Sequence, residues 1–461
     1  MYQKNYHIHF VGIGGIGMSG IAELLINLGY RVSGSDLVAS DITRRLTALG
    51  GRIFKGHAAA HMEGADVLVV SSAVKADNPE ILSAQQKGIP VIPRAEMLAE
   101  LMRLKYGVAI AGAHGKTTTT NLMSAVLAEG GLDPTIVIGG KLHSLGTNAR
   151  LGEGDFLVAE ADESDGSFLR MSPAIAVVTN IDLEHLDHYR DIDDIKDAFT
   201  EFINKVPFYG MGVVCLDNEH VQNIIPRIRK RFVTYGLSRQ ADYRARDIRN
   251  HGMRNQFTVL RHGEVLGDIT LNLPGRHNVT NALAAIAAGC ELSIDFDQIR
   301  RALEQITGVA RRMEIKAEVD GITIMDDYGH HPTEIRTTLD AVRESYPDRR
   351  LVVVFQPHRY TRTAALFDDF TRSFYESDAL FMLPIYAAGE PAIDGITGMG
   401  LCEGVKAHGH RQVVCVGEGR DPLPLLRDFV KKGDLVLTLG AGNVYQVGEA
   451  LAEVLSRAAA A

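Results

Sequence analysis

The sequence predicts an α/β protein made of three doubly wound, Rossmann-like domains. Short apolar runs of β type alternate with helical patterns along the whole chain, and strands separated by helices form parallel βαβ units. Glycine-rich or polar turns follow several of these strands, at the edge where open parallel sheets bind ligands. At 461 residues the chain is too long for a single hydrophobic core. We therefore place the domains at 1–106, 107–312 and 313–461.

The composition is that of a globular protein: 46% of residues are hydrophobic and 23% are charged. The net charge of −9 argues against nonspecific nucleic-acid binding. A polar start that leads into a strand, and the lack of a long apolar run, argue against a secretory signal and a membrane span. Because no Cys-x-x-Cys pair occurs, we expect thiols in a reducing, cytoplasmic setting, without a zinc site or a disulfide framework. The cysteines are Cys215, Cys290, Cys402 and Cys415.

The first domain contains a glycine-rich turn that suits a bound diphosphate. GIGGIG at 12–17 follows the first strand with Gly-x-Gly-x-x-Gly spacing, and Asp36 ends the next strand. This pattern fits a nicotinamide dinucleotide, the pyrophosphate of a nucleotide sugar, or a tight turn without a ligand. The strand candidates are 7–12, 31–34, 65–71 and 90–92, and the helix candidates are 17–28, 42–49, 79–86 and 95–104. The candidate binding residues are Gly14, Gly15, Gly17, Asp36 and Ser71.

The second domain continues the alternation and then adds an antiparallel patch. Residues 243–273 show polar, turn-rich alternation without a helical period, which predicts a small antiparallel extension of the sheet. Helices are expected near 279–291 and 296–306. The strand candidates before the patch are 108–110, 135–138, 156–159, 175–179, 212–215 and 231–235.

The strongest local motif is GAHGKTTTT, which begins at Gly112 between an apolar strand and a helical pattern. Gly112 and Gly115 allow backbone N–H groups to surround phosphate oxygens, Lys116 can reach terminal phosphates, and the Thr117 hydroxyl can ligate Mg²⁺. A complete Walker A motif has glycine where this chain has Ile110, so an ordinary strand-to-helix turn is the competing interpretation. The residues assigned to phosphate binding are Gly112, His114, Gly115, Lys116, Thr117 and Thr118.

Further polar residues follow strands or open helices of the second domain. Glu160 ends an apolar strand, where a carboxylate could meet Mg²⁺, although a solvated acidic loop is the alternative. His185 follows another strand, and neutral imidazole can bind a divalent cation, but a lone loop histidine is usually a surface residue. Asn278 and Asn281 open an alanine-rich helix, where they could cap the helix or contact an adenine edge.

Polar side chains also cluster after two strands of the third domain. DDYGHHPTE at 326–334 and QPHRYTRT at 356–363 each end a strand and open a helix, so both lie at the ligand-binding edge of the expected sheet. Arg312, just before this domain, could contact a phosphate or simply be exposed. The strand candidates are 321–325, 351–355, 379–384, 412–416 and 434–439.

These segments together resemble the Mur ligase family, the ATP-dependent ligases of peptidoglycan precursor synthesis. The resemblance rests on GKTTT, EADESD, TNIDLEHLD, GRHNVTNA and the Arg311-Arg312 pair, in this order, and covers nearly the whole chain. FVGIGGIGMSGIAE, SGSD, SSAV, DDYGHHPTE and FQPHRYTRT are similar to the alanine-adding branch. The resemblance implies ligation of L-alanine to the carboxylate of UDP-N-acetylmuramate through an acyl phosphate, with ATP and Mg²⁺. It also implies a monomer or weak homodimer with no nucleic-acid or membrane partner.

The resemblance implies individual residue roles as well. Lys116 and an arginine of the second boundary would stabilise the transferring phosphoryl group. The implied metal ligands are Thr117, Glu160 and His185, and the nucleotide contacts include Asn278, Asn281 and Arg312. The residues expected to hold alanine and the muramoyl carboxylate are Tyr328, His330, Arg359 and Arg362. The UDP group would lie at the first glycine turn, near Asp36 and Ser71.

Three alternatives stay open at this point. The branch of the family that recycles murein tripeptides shares the Asp-Asp-x-x-His-His-Pro motif, although its first glycine turn differs. A nicotinamide-dependent dehydrogenase would explain the glycine turn and Asp36 but not Lys116, Glu160 or the third domain. A non-catalytic nucleotide sensor of the same fold is disfavoured by the intact Lys116 and Thr117.

Overall fold

The computed structural model describes residues 5–71, 74–138, 149–185 and 188–460. Two compact units are present. The first comprises Met1–Asp247, Phe257–Ile269 and Thr280–Ile306, and the second comprises Ile248–Gln256, Thr270–Val279 and Thr307–Ala461. Within the described residues, three separate β-sheets with intervening helices confirm the α/β class. The first unit contains the first sheet and most of the second, so the boundaries near residues 106 and 312 stay predictions.

The first sheet is parallel and has the strand order β3-β2-β1-β4-β5. Its central strand is buried along its whole length, as expected of a strand covered by helices on both faces. Its strands are β1 (His7–Val11), β2 (Arg31–Asp36), β3 (Arg52–Lys55), β4 (Val67–Val70) and β5 (Val91–Pro93). Its helices are α1 (Ile16–Asn27), α2 (Asp41–Ala48), α3 (Pro79–Gln86) and α4 (Arg94–Met102). Strand β3 is short and exposed at both ends, and it was not predicted from the sequence.

The second sheet has ten strands in the order β15-β14-β13-β12-β11-β10-β6-β9-β7-β8. The strands are β6 (Tyr106–Ala111), β7 (Thr135–Val137), β8 (Ala149–Arg150), β9 (Phe156–Glu160), β10 (Ile175–Val178), β11 (Met211–Cys215), β12 (Phe232–Gly236), β13 (Tyr243–Asn250), β14 (Asn255–Arg261) and β15 (Glu264–Leu271). The loops between the last three strands are two to four residues long, which joins antiparallel neighbours and confirms the expected patch. The two-residue antiparallel strand β8 was not predicted.

The helices that connect the strands of the second sheet, or follow them, include two that pack closely against each other, those that begin at Lys116 and Arg276. The helices are α5 (Lys116–Glu129), α6 (Ile192–Asn204), α7 (Glu219–Ile224), α8 (Arg276–Glu291) and α9 (Phe296–Glu304). Gly289 of α8 lies so near α5 that an added methyl group would be 2.8 Å from Cγ1 of Val126. Asp191 caps α6 by accepting hydrogen bonds from the backbone of Asp193 and Asp194. This packing fixes α5, whose first turn carries the phosphate-loop residues.

The third sheet lies in the second unit, in the order β16-β17-β21-β18-β19-β20. Its strands are β16 (Glu314–Val319), β17 (Ile322–Asp327), β18 (Leu351–Phe355), β19 (Ala379–Met382), β20 (Val413–Cys415) and β21 (Leu435–Leu439). The edge strand β16 pairs antiparallel with β17, and the sequence analysis missed it because its side chains are half-exposed or exposed. The helices are α10 (Pro332–Ser345), α11 (Tyr360–Ala365), α12 (Phe367–Thr371), α13 (Gly398–Ala407), α14 (Leu423–Phe429) and α15 (Tyr445–Ala460).

One expectation about the cysteines is wrong. Cys402 on α13 and Cys415 at the end of β20 form a disulfide, with their Cα atoms 5.8 Å apart. Packing of the helix on the edge strand brings these two residues together, which no Cys-x-x-Cys spacing could reveal. Cys215 and Cys290 are free thiols, as expected.

None of the helices in the described ranges combines the length and apolar character that crossing a bilayer requires.

Candidate active site

The phosphate loop predicted after β6 has the backbone geometry of a strand-to-helix turn. Gly112 and Gly115 have φ values of 139° and 82°, which favour glycine. A side chain at Gly112 would overlap the Thr179 hydroxyl, which donates a 2.7 Å hydrogen bond to the His114 carbonyl. The Asn180 side chain accepts from the His114 N–H at 2.8 Å and donates to its carbonyl at 3.0 Å. Two residues that follow β10 therefore hold the loop in shape.

Lys116 is the first residue of α5, and its ammonium group is held inside the loop. Its Nζ atom donates to the Gly112 carbonyl at 2.5 Å and to both carboxylate oxygens of Glu163 at 2.8 and 3.0 Å. Burial alone would lower the pKa of Lys116, but the negative charges of Glu163 and Asp162 outweigh it and raise that pKa above its ordinary value. Lys116 is therefore a permanent cation at neutral pH.

Two carboxylates and an imidazole meet beside Lys116. One ligand atom from each of Glu163, Glu184 and His185 lies within 4.8 Å of the others. The Nε2 atom of His185 is 3.6 Å from Glu163 and 3.7 Å from Glu184. This group includes one residue expected to bind metal, His185. Glu163 and Glu184 lie within the EADESD and TNIDLEHLD motifs, but no role was predicted for either residue.

The other expected metal ligands lie outside this three-residue group. Glu160 is the last residue of β9 and pairs in register with Ile110 of β6. Thr117 is half-buried in the first turn of α5. Both positions suit the edge of the sheet that carries the phosphate loop, so their roles stay predictions.

The glycine turn of the first domain is braced by Asp36. The Gly14 N–H donates to Oδ2 of Asp36 at 2.9 Å, and a Cβ atom at Gly14 would be 2.8 Å from that oxygen. Gly12 has a φ of 78°, and a Cβ there would be 3.5 Å from Cβ of Ser71. Gly15 is the N-terminal cap residue of α1. Asp36 therefore shapes the turn, a structural role that the sequence analysis did not foresee.

Gly17 makes room for an arginine that the sequence analysis did not single out. A side chain at Gly17 would overlap Nη1 of Arg94, and Cζ of that guanidinium would be 3.3 Å from an added Cβ. Arg94 is the first residue of α4, and its Nη2 atom donates to Oδ2 of Asp162 at 3.3 Å. Arg94 therefore extends from the first glycine turn to the acidic segment that follows β9.

The two asparagines of α8 have different surroundings. Oδ1 of Asn281 would be 2.7 Å from a Cβ added at Gly115, so this amide lies next to the phosphate loop. Asn278 donates from Nδ2 to the Pro274 carbonyl at 2.7 Å, a local contact at the start of the helix. Their proposed contacts with adenine stay predictions.

Arg312 lies in the second unit beside residues of the third sheet. Its Nη1 atom is 3.7 Å from Oε1 of Glu334, and its guanidinium carbon is 5.4 Å from the centre of the Tyr328 ring. The half-buried His277 ring lies in the field of Arg312, and desolvation together with this positive charge lowers the pKa of His277 to about 4. Arg312 is thus placed near residues expected to bind the acid substrates, and its phosphate contact stays a prediction.

The expected acid-binding face of the third domain is assembled around a histidine that was missed. The rings of Tyr328 and His330 meet edge-on with centres 5.4 Å apart, and the centres of His330 and His358 are 6.0 Å apart. Nη1 of Arg362 is 3.5 Å from Nδ1 of His358. Burial, helped by His330 and the nearby arginines, lowers the pKa of His358 to about 3. His358 is therefore neutral at physiological pH.

Arg359 differs from Arg362 in its contacts. Arg359 has φ 70° and ψ 138°, and its Nη1 atom is 3.7 Å from Oε1 of Glu390. Its side chain is 43% exposed, whereas Arg362 turns back toward His358. The two guanidinium groups thus have separate partners in this structure, and their shared selection of a carboxylate stays a prediction.

Comparison with known proteins gives consistent matches along the chain. Family models described as the Mur ligase family catalytic domain, the Mur ligase middle domain, and the Mur ligase glutamate ligase domain match residues 7–106, 110–289 and 311–442. A UDP-N-acetylmuramate–L-alanine ligase of Desulforapulum autotrophicum is 64% identical over 456 residues, which are 99% of this chain and 100% of that protein.

Two solved structures extend the comparison. A UDP-N-acetylmuramate–alanine ligase from Thermotoga maritima superposes with a TM-score of 0.82 at 29% identity, covering 98% of this chain and 99% of that one. A murein peptide ligase from Psychrobacter arcticus gives a TM-score of 0.71 at 26% identity, with the same coverage of both chains.

Proposed function

The chain belongs to the Mur ligase family, and we infer from this that it ligates L-alanine to the carboxylate of UDP-N-acetylmuramate in an ATP-dependent reaction of peptidoglycan precursor synthesis. The observation that carries this inference is the 64% identity, over 99% of the chain, with a ligase named for that reaction. The geometry agrees with it, because Lys116 is poised on a formed phosphate loop.

In the first step the muramate carboxylate attacks the γ-phosphorus of ATP, forms an acyl phosphate and releases ADP. Charge builds up on the oxygens of the transferring group, and fixed positive groups stabilise it. We propose that Lys116 is one of these positive groups. Its ammonium group binds the Glu163 carboxylate in this structure, so an oxygen of the transferring phosphoryl group would compete with Glu163 for Lys116. The loop N–H groups around Gly112 to Gly115 would hold the ATP phosphates.

Mg²⁺ fits the residues beside Lys116, and we propose that Glu163, Glu184 and His185 hold it, directly or through water. Carboxylate oxygens are the preferred protein ligands of Mg²⁺, and a neutral imidazole can complete the set. When bound there, Mg²⁺ would neutralise charge on the phosphate oxygens. Thr117 and Glu160 are retained as further proposed ligands, because both lie at the same edge of the sheet.

In the second step the amine of L-alanine attacks the acyl phosphate, forms the amide bond and releases phosphate. We propose that Tyr328, His330, Arg359 and Arg362 hold the alanine and muramoyl carboxylates, since guanidinium groups pair with carboxylates through two parallel hydrogen bonds. The neutral His358 can accept a hydrogen bond from the incoming amine, which a protonated imidazole could not do.

The test is phosphate release from ATP in the presence of UDP-N-acetylmuramate and a panel of amine acceptors. Release with L-alanine, and loss of release when either acid substrate is omitted, is the expected result. A murein tripeptide serves as the competing acceptor, because one structural relative is a murein peptide ligase. Activity with the tripeptide and none with L-alanine would overturn the proposed acceptor.

A further inference from the structure

Arg94 lies between two loops that the proposed function assigns to different substrates. Pro93 ends β5 and caps α4, so Arg94 begins the helix at the carboxyl edge of the first sheet. Its Nη1 atom occupies the space that a side chain at Gly17 would need. Its Nη2 atom reaches Asp162, which follows β9 in the second sheet. Because Gly17, the third glycine of the Gly-x-Gly-x-x-Gly turn, has no side chain, the Arg94 guanidinium group can lie against the turn.

Asp162 contacts this guanidinium through one of its two carboxylate oxygens. Its Oδ2 atom accepts the Arg94 bond at 3.3 Å, while its Oδ1 atom accepts the Ser164 N–H at 3.1 Å. Asp162 therefore accepts one hydrogen bond from Arg94 and one from the backbone of Ser164.

Most of the donor capacity of Arg94 is unused. A guanidinium has five N–H donors in a planar fork, and within the described ranges only Nη2 makes a hydrogen bond to protein. The side chain is 34% exposed, and the Asp162 side chain is 43% exposed. A long, exposed ion pair of this kind contributes little to folding. Nη1, one of the unused donors, lies beside the glycine turn. Because the chain carries a net charge of −9, a cation at this turn would favour the binding of an anionic ligand.

We propose that Arg94 binds the diphosphate of the UDP-sugar substrate, with Asp162 as the residue that positions it. The inference rests on the proposed function, which places a nucleotide sugar at this turn. A guanidinium presents paired N–H groups that match two phosphate oxygens, whereas an ammonium acts as a point charge. Nη2 carries two N–H groups, so Arg94 can keep one of them on Asp162 while the other, paired with Nη1, faces the diphosphate.

The experiment is calorimetric titration of UDP and of UDP-N-acetylmuramate, without ATP, into wild type, Arg94→Ala, Arg94→Lys and Arg103→Ala. Arg103 follows the last residue of the same helix, is exposed and pairs with the half-buried Glu100, so it is the matched control. Arg94→Ala should raise the Kd values of both ligands to a similar extent, by about tenfold or more. Arg94→Lys should recover part of the loss, and Arg103→Ala should bind as wild type does. The KM values for ATP and L-alanine should change little.

Two results would overturn the assignment. Weaker binding of UDP-N-acetylmuramate with unchanged binding of UDP would mean that Arg94 contacts the muramoyl carboxylate instead. Unchanged binding of both ligands by Arg94→Ala and Arg94→Lys, with a lower melting temperature, would mean that Arg94 only braces the fold. If Arg94→Ala does not fold, the Arg94→Lys variant tests the proposal by itself, because the proposal requires that this variant also bind UDP more weakly than wild type. Failure of wild type to release phosphate would refute the ligase function separately from these binding results.

Discussion

The ammonium group of Lys116 is chelated by the carboxylate of Glu163, with Nζ–Oε distances of 2.8 and 3.0 Å. The Glu163 side chain is 3% exposed, so this carboxylate depends on Lys116 for its charge balance. The same carboxylate lies 3.6 Å from His185. Glu163 therefore links Lys116 to the other proposed metal ligands.

Lys116→Ala should abolish measurable ligation. The variant removes a fixed charge from the transferring phosphoryl group, a loss that typically costs on the order of two to three decades in rate. Because Glu163 would then be buried without its cation, a Lys116→Ala/Glu163→Gln double variant controls for instability. Phosphate release is the measurement, with a melting temperature for each variant. Near-normal turnover by a folded Lys116→Ala protein would refute the role of the loop.

Glu163→Gln should raise the Mg²⁺ concentration needed for half-maximal activity, because it removes one anionic donor from the three-residue group. The matched variant is Glu160→Gln, since Glu160 was the carboxylate expected from the sequence. Mg²⁺ titrations of phosphate release would compare the two. If only Glu160→Gln raises the Mg²⁺ concentration needed for half-maximal activity, the metal ligand is Glu160 at the end of β9 and not Glu163.

Arg359→Lys should raise the KM for L-alanine or UDP-N-acetylmuramate, or lower turnover, while ATP affinity changes little. Lysine keeps the charge but cannot reproduce the paired donors of the guanidinium group. The control is Arg427→Lys, an exposed residue of the same unit paired with its neighbour Asp428. Steady-state kinetics on each substrate are the measurement, and Arg362→Lys is tested in parallel. Unchanged kinetics in both variants would mean that neither Arg359 nor Arg362 contacts the acid substrates.

The depressed pKa of His358 predicts a loss of stability in mild acid. Its folded pKa is about 3 against 6.5 ordinarily, so between these values the unfolded chain binds a proton that the folded chain does not. The free energy of unfolding therefore falls as the pH drops below about 6.5. His358→Gln lacks this proton uptake, so its melting temperature should fall less than that of wild type between about pH 7.5 and pH 5. The exposed His408→Gln serves as the control, and equal pH responses in all three proteins would contradict the prediction.

Local sequence patterns predicted the parts of this fold that local sequence controls. The phosphate loop is one contiguous strand, turn and helix, and the glycines at 112 and 115 mark its backbone directly. The edge strands β3 and β16 were missed because their half-exposed side chains lack the apolar runs used to recognise strands. Pattern alone cannot distinguish an exposed edge strand from a loop.

Contacts between segments that are distant in the sequence were the second feature that could not be predicted from the sequence. Glu163, rather than Glu160, meets Lys116 because the chain turns after β9, and no spacing rule records that turn. His358 was quoted within a motif, yet its importance depends on burial against His330 and Tyr386. Arg94 was assigned no role, because its partner Asp162 is 68 residues away in the sequence.

The backbone of Arg359 has a lasting consequence for how this protein can change. Its φ of 70° lies in the region that glycine occupies freely and other residues adopt at a cost of about 1–3 kcal/mol. A glycine at this position would relieve that conformational cost and delete the guanidinium in the same substitution. Selection or engineering that rewards heat resistance alone would therefore favour losing the proposed substrate contact, and only selection for catalysis would keep it.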